Sequence, residues 1–230
     1  MTDQVALITG ASQGLGRALA VALRGQGWRV VLDGRDVGRL AAVRAELPDA
    51  TVVPGDVTDA EHRAALAAAV ADLGRLDLLV ANASELGPSP LPALAAVPVD
   101  AVRAVYETNV IAPLALLQLV LPLLRDSDGT VIWVSSDAAV EAYPGWGAYG
   151  SSKAALDHLS AVLAVEEPEL RSYAVDPGDM RTEMHQRAFP GEDISDRPLP
   201  EEVVPSVLRL VQARPPCGRY RAADFSAATP

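Results

Sequence analysis

Short apolar runs rich in β-branched residues recur along the chain: VALIT at 5–9, RVVL at 29–32, TVVP at 51–54, LDLLV at 76–80, TVIWV at 130–134 and RSYAV at 171–175. Between them lie alanine- and leucine-rich stretches of helical length, so strands and helices alternate. The spacing predicts helices over 16–25, 37–47, 59–73, 99–124 and 151–167. Alternation of this kind builds a parallel sheet covered by helices on both faces, an α/β doubly wound architecture. A last helix over 201–212 and a weak edge strand within GRYRAADF (218–225) complete the order. The segment RTEMHQRAFPGEDISDRPLP (181–200) breaks the pattern, being polar, rich in Pro and Asp, and without a strand period. It reads as a mobile excursion beside a ligand crevice.

No repeat or linker divides the chain. Its 230 residues, half of them hydrophobic and 21% charged, suit one well-buried domain over 1–230. With 19 Lys and Arg against 30 Asp and Glu, the net charge of −11 repels nucleic acid and anionic lipid, which disfavours polyanion binding. The single cysteine, Cys217, leaves no internal disulfide or cysteine-based metal site and suits a reducing cytoplasm. The N-terminal MTDQVALITG has neither a basic segment nor a long apolar one, so no secretory signal is expected. The longest uncharged run, Thr108 to Leu124, is short and interrupted by Pro113 and Pro122; a buried or subunit-facing helix is expected there rather than a membrane span. His62, His158 and His185 have no mutual ligand spacing, and no metal is expected.

TGASQGLG at 9–16 follows the first predicted strand directly and opens a helix. Gly10 permits a tight turn, Gly14 lets a pyrophosphate approach the backbone, and Gly16 lets helix pack closely on strand, while the helix N-terminus attracts the anion. The GxxxGxG spacing differs from the GxGxxG of the longer dinucleotide fingerprint. A second chemical signal is YGSSK at 149–153. Lys153 lies one helical turn after Tyr149 on the same face, where an ammonium stabilises the phenolate, so the expected direction of the tyrosine pKa is downward. That brings a phenol, ordinarily near 10, toward proton exchange around neutrality. Tyrosine and lysine also meet at this spacing by chance on solvated helices, so the surrounding motifs decide. Ser136 follows the TVIWV strand, at the edge where open α/β sheets bind ligands.

TGASQGLG combined with YGSSK resembles the short-chain dehydrogenase/reductase family in its compact single-domain, Rossmann-like form. Further matches are Asp56 and Val57, ANAS at 81–84, TNV at 108–110, VSS at 134–136 and PGDMRT at 177–182, so the resemblance runs from about Val5 to Thr182. It implies a soluble NAD(P)(H)-dependent oxidoreductase that transfers hydride between nicotinamide and a carbonyl or alcohol carbon, without a metal. By the same resemblance Ser136, placed 13 residues before Tyr149, hydrogen-bonds the substrate oxygen and Tyr149 exchanges the proton. Lys153 lowers the tyrosine pKa and holds the nicotinamide ribose, and Asn109 completes a proton relay through water. Cofactor contacts are implied for Gly10, Ser12, Gln13, Gly14, Leu15 and Gly16, for Asp56 and Val57 at the adenine edge, and for Asn82 and Ala83 along the nucleotide path. Pro177, Gly178 and Thr182 border the nicotinamide, beside Tyr149 and Lys153. The familiar NNAG is ANAS here: Ala81 lacks an amide, and Ser84 is less free than glycine to adopt positive φ.

The choice of cofactor turns on LDGRD at 32–36. An acid at the end of the second strand bonds the ribose 2′-hydroxyl, whereas an arginine accommodates a 2′-phosphate. If the chain stays extended, Asp33 and Arg35 share a side and could pair. In the family the NAD-selecting acid falls where Gly34 stands and an arginine at Arg35 is the NADP pattern, while Gln13 occupies a position often basic in NADP-dependent relatives. NADP(H) is favoured, with NAD(H) open. Trp133 alternates into the core, whereas Tyr143, Trp146 and His185 are candidates for the substrate pocket. The long apolar helix ending near Leu124 and the helix after Lys153 imply a homodimer, as is common in the family. The partners expected are a small carbonyl or alcohol compound and a second copy of the chain. The rival reading is a non-catalytic NAD(P)-binding sensor or regulator on the same fold; the full set Asn109, Ser136, Tyr149 and Lys153 argues against it.

Overall fold

The computed structural model describes residues 4–226. Strands β1 (Val5–Ile8), β2 (Arg29–Gly34), β3 (Thr51–Pro54), β4 (Leu78–Ala81), β5 (Thr130–Val134), β6 (Arg171–Asp176) and β7 (Gly218–Arg221) form one sheet in the order β3-β2-β1-β4-β5-β6-β7. Every pairing is parallel. The strand order reverses at β1 and β4, and a crevice opens above their C-terminal ends, as in any doubly wound sheet. Helices α1 (Gly14–Gly25), α2 (Val37–Glu46), α3 (Ala60–Ala71), α4 (Val99–Tyr106), α5 (Ala112–Asp126), α6 (Gly147–Glu166), α7 (Glu183–Ala188) and α8 (Pro200–Ala213) surround it.

Strand alternation builds two cores. Ala6 and Ile8 of β1 enter the apolar cluster that includes residues of α1 and α8, and Val5 and Leu7 enter the one that includes residues of α3, α5 and α6. Trp133 lies wholly buried in the second cluster, where its indole N–H donates to Ser172 Oγ at 3.1 Å.

Three elements differ from the sequence pattern. The helix expected over 99–124 is α4 and α5 joined by a π-helical turn, Glu107–Ile111, which buries Asn109 and Val110. Together they form a run, Val99–Asp126, of 28 residues with a window of mean hydropathy 1.6, long and apolar enough to cross a membrane by length and composition alone. Leu116, Leu117, Val120 and Leu124 of this run pack into the second core. Helix α6 starts at Gly147, which puts Tyr149 inside the first turn of the helix. The excursion at 181–200 contains α7, N-capped by Thr182, whose hydroxyl accepts the His185 N–H at 3.2 Å. Six residues are too few for a helical period to register in the sequence.

Candidate active site

A crevice of about 710 Å³ lies over the strand ends, within the size range of small-molecule sites. It is lined by every catalytic or cofactor residue implied by the resemblance except Gly16 and Asn109. Gly10 (φ +66) and Gly14 (φ +57) take the left-handed conformation that L side chains resist. A Cβ on Gly16 would sit 2.5 Å from the Gly10 carbonyl oxygen and 2.6 Å from Asn82 Nδ2, so this glycine serves the packing of α1 on the loop. At Gly14, by contrast, the nearest neighbour of a Cβ would be Thr182 Cγ2 at 3.7 Å, and the backbone is open to a ligand. Gln13, the N-cap of α1, makes no side-chain capping bond, which leaves the first N–H groups of the helix for an anion. The loop is braced from behind. Asn82 Nδ2 donates to the Thr9 and Gly10 carbonyls at 2.8 and 3.1 Å, and Thr9 Oγ1 accepts the Asn82 and Ala83 N–H groups. These features fit a bound pyrophosphate.

At the adenosine end Asp33 and Arg35 do not pair. Strand β2 ends at Gly34, so the alternation that would put them on one side stops before Arg35. Asp33 is fully buried; its Oδ1 accepts the Gly10 N–H at 2.6 Å and its Oδ2 lies 3.1 Å from His62 Nε2. Burial raises the Asp33 pKa, opposed by its bonds to His62 and Gly10. His62, to which its spacing gave no role, is thus the partner of a buried carboxylate. Arg35 is well exposed and faces Asp56 at 3.9 Å and Glu85 at 3.6 Å. A Cβ on Gly34 would lie 3.0 Å from Ser12 Cβ, so there is little room for an acidic side chain at that position.

The four residues that the family resemblance marks as catalytic meet where β5, α6 and the π turn converge. Ser136 follows β5; its hydroxyl donates to Asp137 Oδ1 at 3.0 Å and accepts the Ala138 N–H at 3.2 Å. Tyr149 and Lys153 are 8% and 1% exposed. Lys153 is the only lysine in the chain; all other side-chain cations apart from histidine are arginines. Its Nζ donates to the Val134 carbonyl at 2.7 Å and stands 5.4 Å from the centre of the Tyr149 ring. Burial pushes the Tyr149 phenol up to about 12, with Asp137 and Asp176 adding to the rise while the Ser84 and Ser136 hydroxyls oppose it. This reverses the downward direction expected from YxxxK. In the free protein the loss of water around the phenol outweighs the ammonium, which lies over the ring face. Burial also lowers Lys153, from 10.5 to about 8, against Asp157.

Asn109 is built differently from the expected relay. Its Oδ1 accepts the Glu85 N–H at 2.7 Å and the Ser84 hydroxyl at 3.2 Å, and its Nδ2 donates to the Glu85 carbonyl at 3.0 Å and Ser152 Oγ at 2.9 Å. All four places of the carboxamide are taken, so the side chain bolts α6 and the segment after β4 to the π turn. A water relay could leave only from its backbone. Ser84, where the family has glycine, needs no positive φ and instead lies beside the phenol.

On the substrate side Trp146 lines the crevice, with ring contacts to Tyr149 at 5.6 Å and Phe189 at 6.0 Å. Leu86, Met184 and Ala188 continue this apolar wall. Tyr143 does not line it; its hydroxyl donates to Asp137 Oδ2 at 3.0 Å from the exposed side. His185 does line it, with Nδ1 3.7 Å from Asp179 and its ring against Phe189. Asp137 and Ser152 were not singled out from the sequence for this site, and Ser84 was noted only where the family has glycine, because no motif assigns a role to serines or an aspartate at those positions.

A parallel sheet with a phosphate-sized glycine loop at its switch point and a buried Tyr–Lys pair beside it defines a dinucleotide-binding oxidoreductase. The sequence profile for the short chain dehydrogenases matches residues 4–193. The chain is 33% identical over 221 residues to the Escherichia coli oxidoreductase YciK, covering 92% of this chain and 87% of the relative. It is 32% identical over 216 residues to an (S)-benzoin-forming benzil reductase of Saccharomyces cerevisiae, covering 89% and 80%. Among solved structures, a short chain dehydrogenase from Shigella flexneri complexed with NADP matches with a TM-score of 0.90 at 31% identity, covering 97% of this chain and 98% of that one. The chain belongs to the short-chain dehydrogenase/reductase family of oxidoreductases, whose members bind nicotinamide cofactors.

Proposed function

We propose that the protein is an NADP(H)-dependent reductase or dehydrogenase of a small carbonyl or alcohol compound, with Tyr149 as the group that gives or takes the proton. The observation that carries this reading is that Ser136, Tyr149 and Lys153 line the same crevice as the open backbone at Gly14. When bound there, the nicotinamide supplies or accepts the hydride. The 10–16 loop would hold the pyrophosphate, Asp56 and Val57 the adenine edge, and Lys153 with Pro177, Gly178 and Thr182 the nicotinamide end.

Tyr149 keeps its proton at neutrality, because burial puts its pKa near 12. It is therefore armed as the acid that protonates a carbonyl oxygen during reduction. Lys153, which titrates near 8, is mostly an ammonium at neutral pH and stabilises the phenolate left behind. Ser136 exchanges its bond to Asp137 for one to the substrate oxygen. The wall of Trp146, Leu86 and Met184 excludes water and favours an apolar or aromatic substituent on the substrate.

NADP(H) is supported by Arg35 just after β2, by the lack of room for an acid at Gly34, and by the NADP held in the Shigella flexneri relative. A homodimer through the α4–α5 run and α6 is supported by exposed Ile111 in the π turn, Leu119 on α5, and Val162 and Val165 on α6. A cytoplasmic setting agrees with the lone cysteine.

Tyr149→Phe tests the reading. Screened on carbonyl and alcohol compounds, it should lose turnover by roughly 10²–10⁴-fold while NADPH fluorescence titration gives near wild-type affinity. Retained turnover removes Tyr149 from its role, and a preference for NADH at equal concentration overturns the choice of cofactor.

A further inference from the structure

A charge network joins the proposed catalytic pair to the last strand of the sheet. Asp157 stands one turn beyond Lys153, so Tyr149, Lys153 and Asp157 occupy successive turns of one face of α6. Asp157 Oδ2 lies 3.0 Å from Arg219 Nε. Arg219 belongs to β7, and its Nη2 donates to the Ser136 carbonyl at 2.9 Å and lies 3.4 Å from Asp176 Oδ2. Asp176, through its other oxygen, accepts the Gly178 N–H at 3.0 Å. One guanidinium thus ties the helix that carries Tyr149 and Lys153 to the backbone of Ser136 and to the turn at Pro177 and Gly178. Asp157 and Asp176 side chains are only 14% and 6% exposed, so solvent screens these charges weakly. Arg219 also lies beyond residues 4–193, the part of the chain that the family profile accounts for.

We propose that Asp157 and Arg219 are positioning residues of the active site: the carboxylate favours the ammonium form of Lys153, the guanidinium offsets that effect, and Arg219 also fixes the backbone of Ser136. This rests on the roles given to Tyr149 and Lys153 above. The electrostatics agree in sign. Asp157 is the group that opposes the lowering of Lys153 by burial. Burial raises Asp157 in turn, and Ser135, Arg219 and Lys153 hold it down. Among the described residues Ser135 Oγ and Asp157 Oδ1 are buried without a partner in hydrogen-bond geometry, and the bond this carboxylate does make is to Arg219. The remaining charges facing the pair are Asp137, after β5, and Asp176, on β6, which both act on Tyr149.

Because Lys153 is the only lysine, protein labelled with ¹³C at the lysine ε-carbon gives one side-chain signal whose titration reads its charge without any substrate. The wild type should titrate near 8. Asp157→Asn should lower the midpoint by roughly one pH unit, Arg219→Leu should raise it by a similar amount, and the double variant should fall between them. Arg219→Gln serves if the leucine variant does not fold. With NADPH saturating, Arg219→Leu should also lower kcat by roughly tenfold, since Ser136 is displaced. A network that only supports the fold would lower the melting temperature and leave both midpoints in place; midpoints unmoved, or moved in the same direction, overturn the proposal. If the midpoints move as stated while Tyr149→Phe stays active, the catalytic reading fails and the network stands. If Tyr149→Phe is inactive and the midpoints are static, only the network is lost.

Discussion

Asn109→Ala probes whether one side chain holds the π turn in place. The residue is 1% exposed, and its carboxamide makes four hydrogen bonds, to Glu85 N, Ser84 Oγ, the Glu85 carbonyl and Ser152 Oγ. Alanine removes all of them and leaves the half-buried Glu85 backbone groups without these partners. At about 1 kcal/mol net for each bond, and more for an orphaned buried group, the expected loss is about 4 kcal/mol. In a chain of this size that lowers the melting temperature by roughly 8–16 °C. Ser152→Ala is the benchmark: it removes one of the four bonds and the 2.6 Å bond to the Tyr149 carbonyl, for about 1–2 kcal/mol. Urea unfolding of both variants by circular dichroism, with unchanged denaturant slopes, measures the difference. If Asn109→Ala costs no more than Ser152→Ala, the carboxamide is not the bolt and the reasoning from its saturation is wrong.

Two further outcomes follow from the loop and the lysine. Gly16→Ala should weaken NADPH binding by at least about tenfold and cost about 1–3 kcal/mol, because its Cβ meets the Gly10 carbonyl at 2.5 Å, and a normal binding isotherm would contradict this. Lys153 titrates at about 8 when folded against an ordinary 10.5, so below 8 the folded chain bears the full cost of a buried ammonium. As pH rises from about 8 to 10.5 the folded state releases this proton before the unfolded one, and the cost fades. Lys153→Met should therefore be more stable than the wild type at neutrality, by on the order of 3 kcal/mol, with the gap closing across that window. Urea midpoints that keep a constant gap at both ends of the window would refute the depressed pKa.

The glycine loop and the Tyr149–Lys153 spacing were legible because each depends on neighbours within a few residues, and local geometry alone dictates them. Gly10 and Gly14 do take positive φ, and Gly16 does pack against the loop. The chain also carried a signal that went unread: a single lysine, inside YGSSK. Partners distant in sequence left no local trace. Asp33 finds His62 29 residues away, and Arg219 finds Ser136 83 residues away. The pairing imagined between Asp33 and Arg35 failed because it extended a strand past its last residue, Gly34.

The amino-acid order alone determined the alternation of strands and helices and the parallel sheet, since both follow from backbone stereochemistry and the periodic burial of apolar side chains. Tertiary structure alone decided the charges and hydrogen bonds at the site: that burial outweighs the ammonium at Tyr149, that Asn109 spends its side chain on the scaffold, and that the last strand delivers Arg219 to Ser136. Desolvation and long-range Coulomb interactions depend on which groups share a low-dielectric interior, and only the folded chain sets that company.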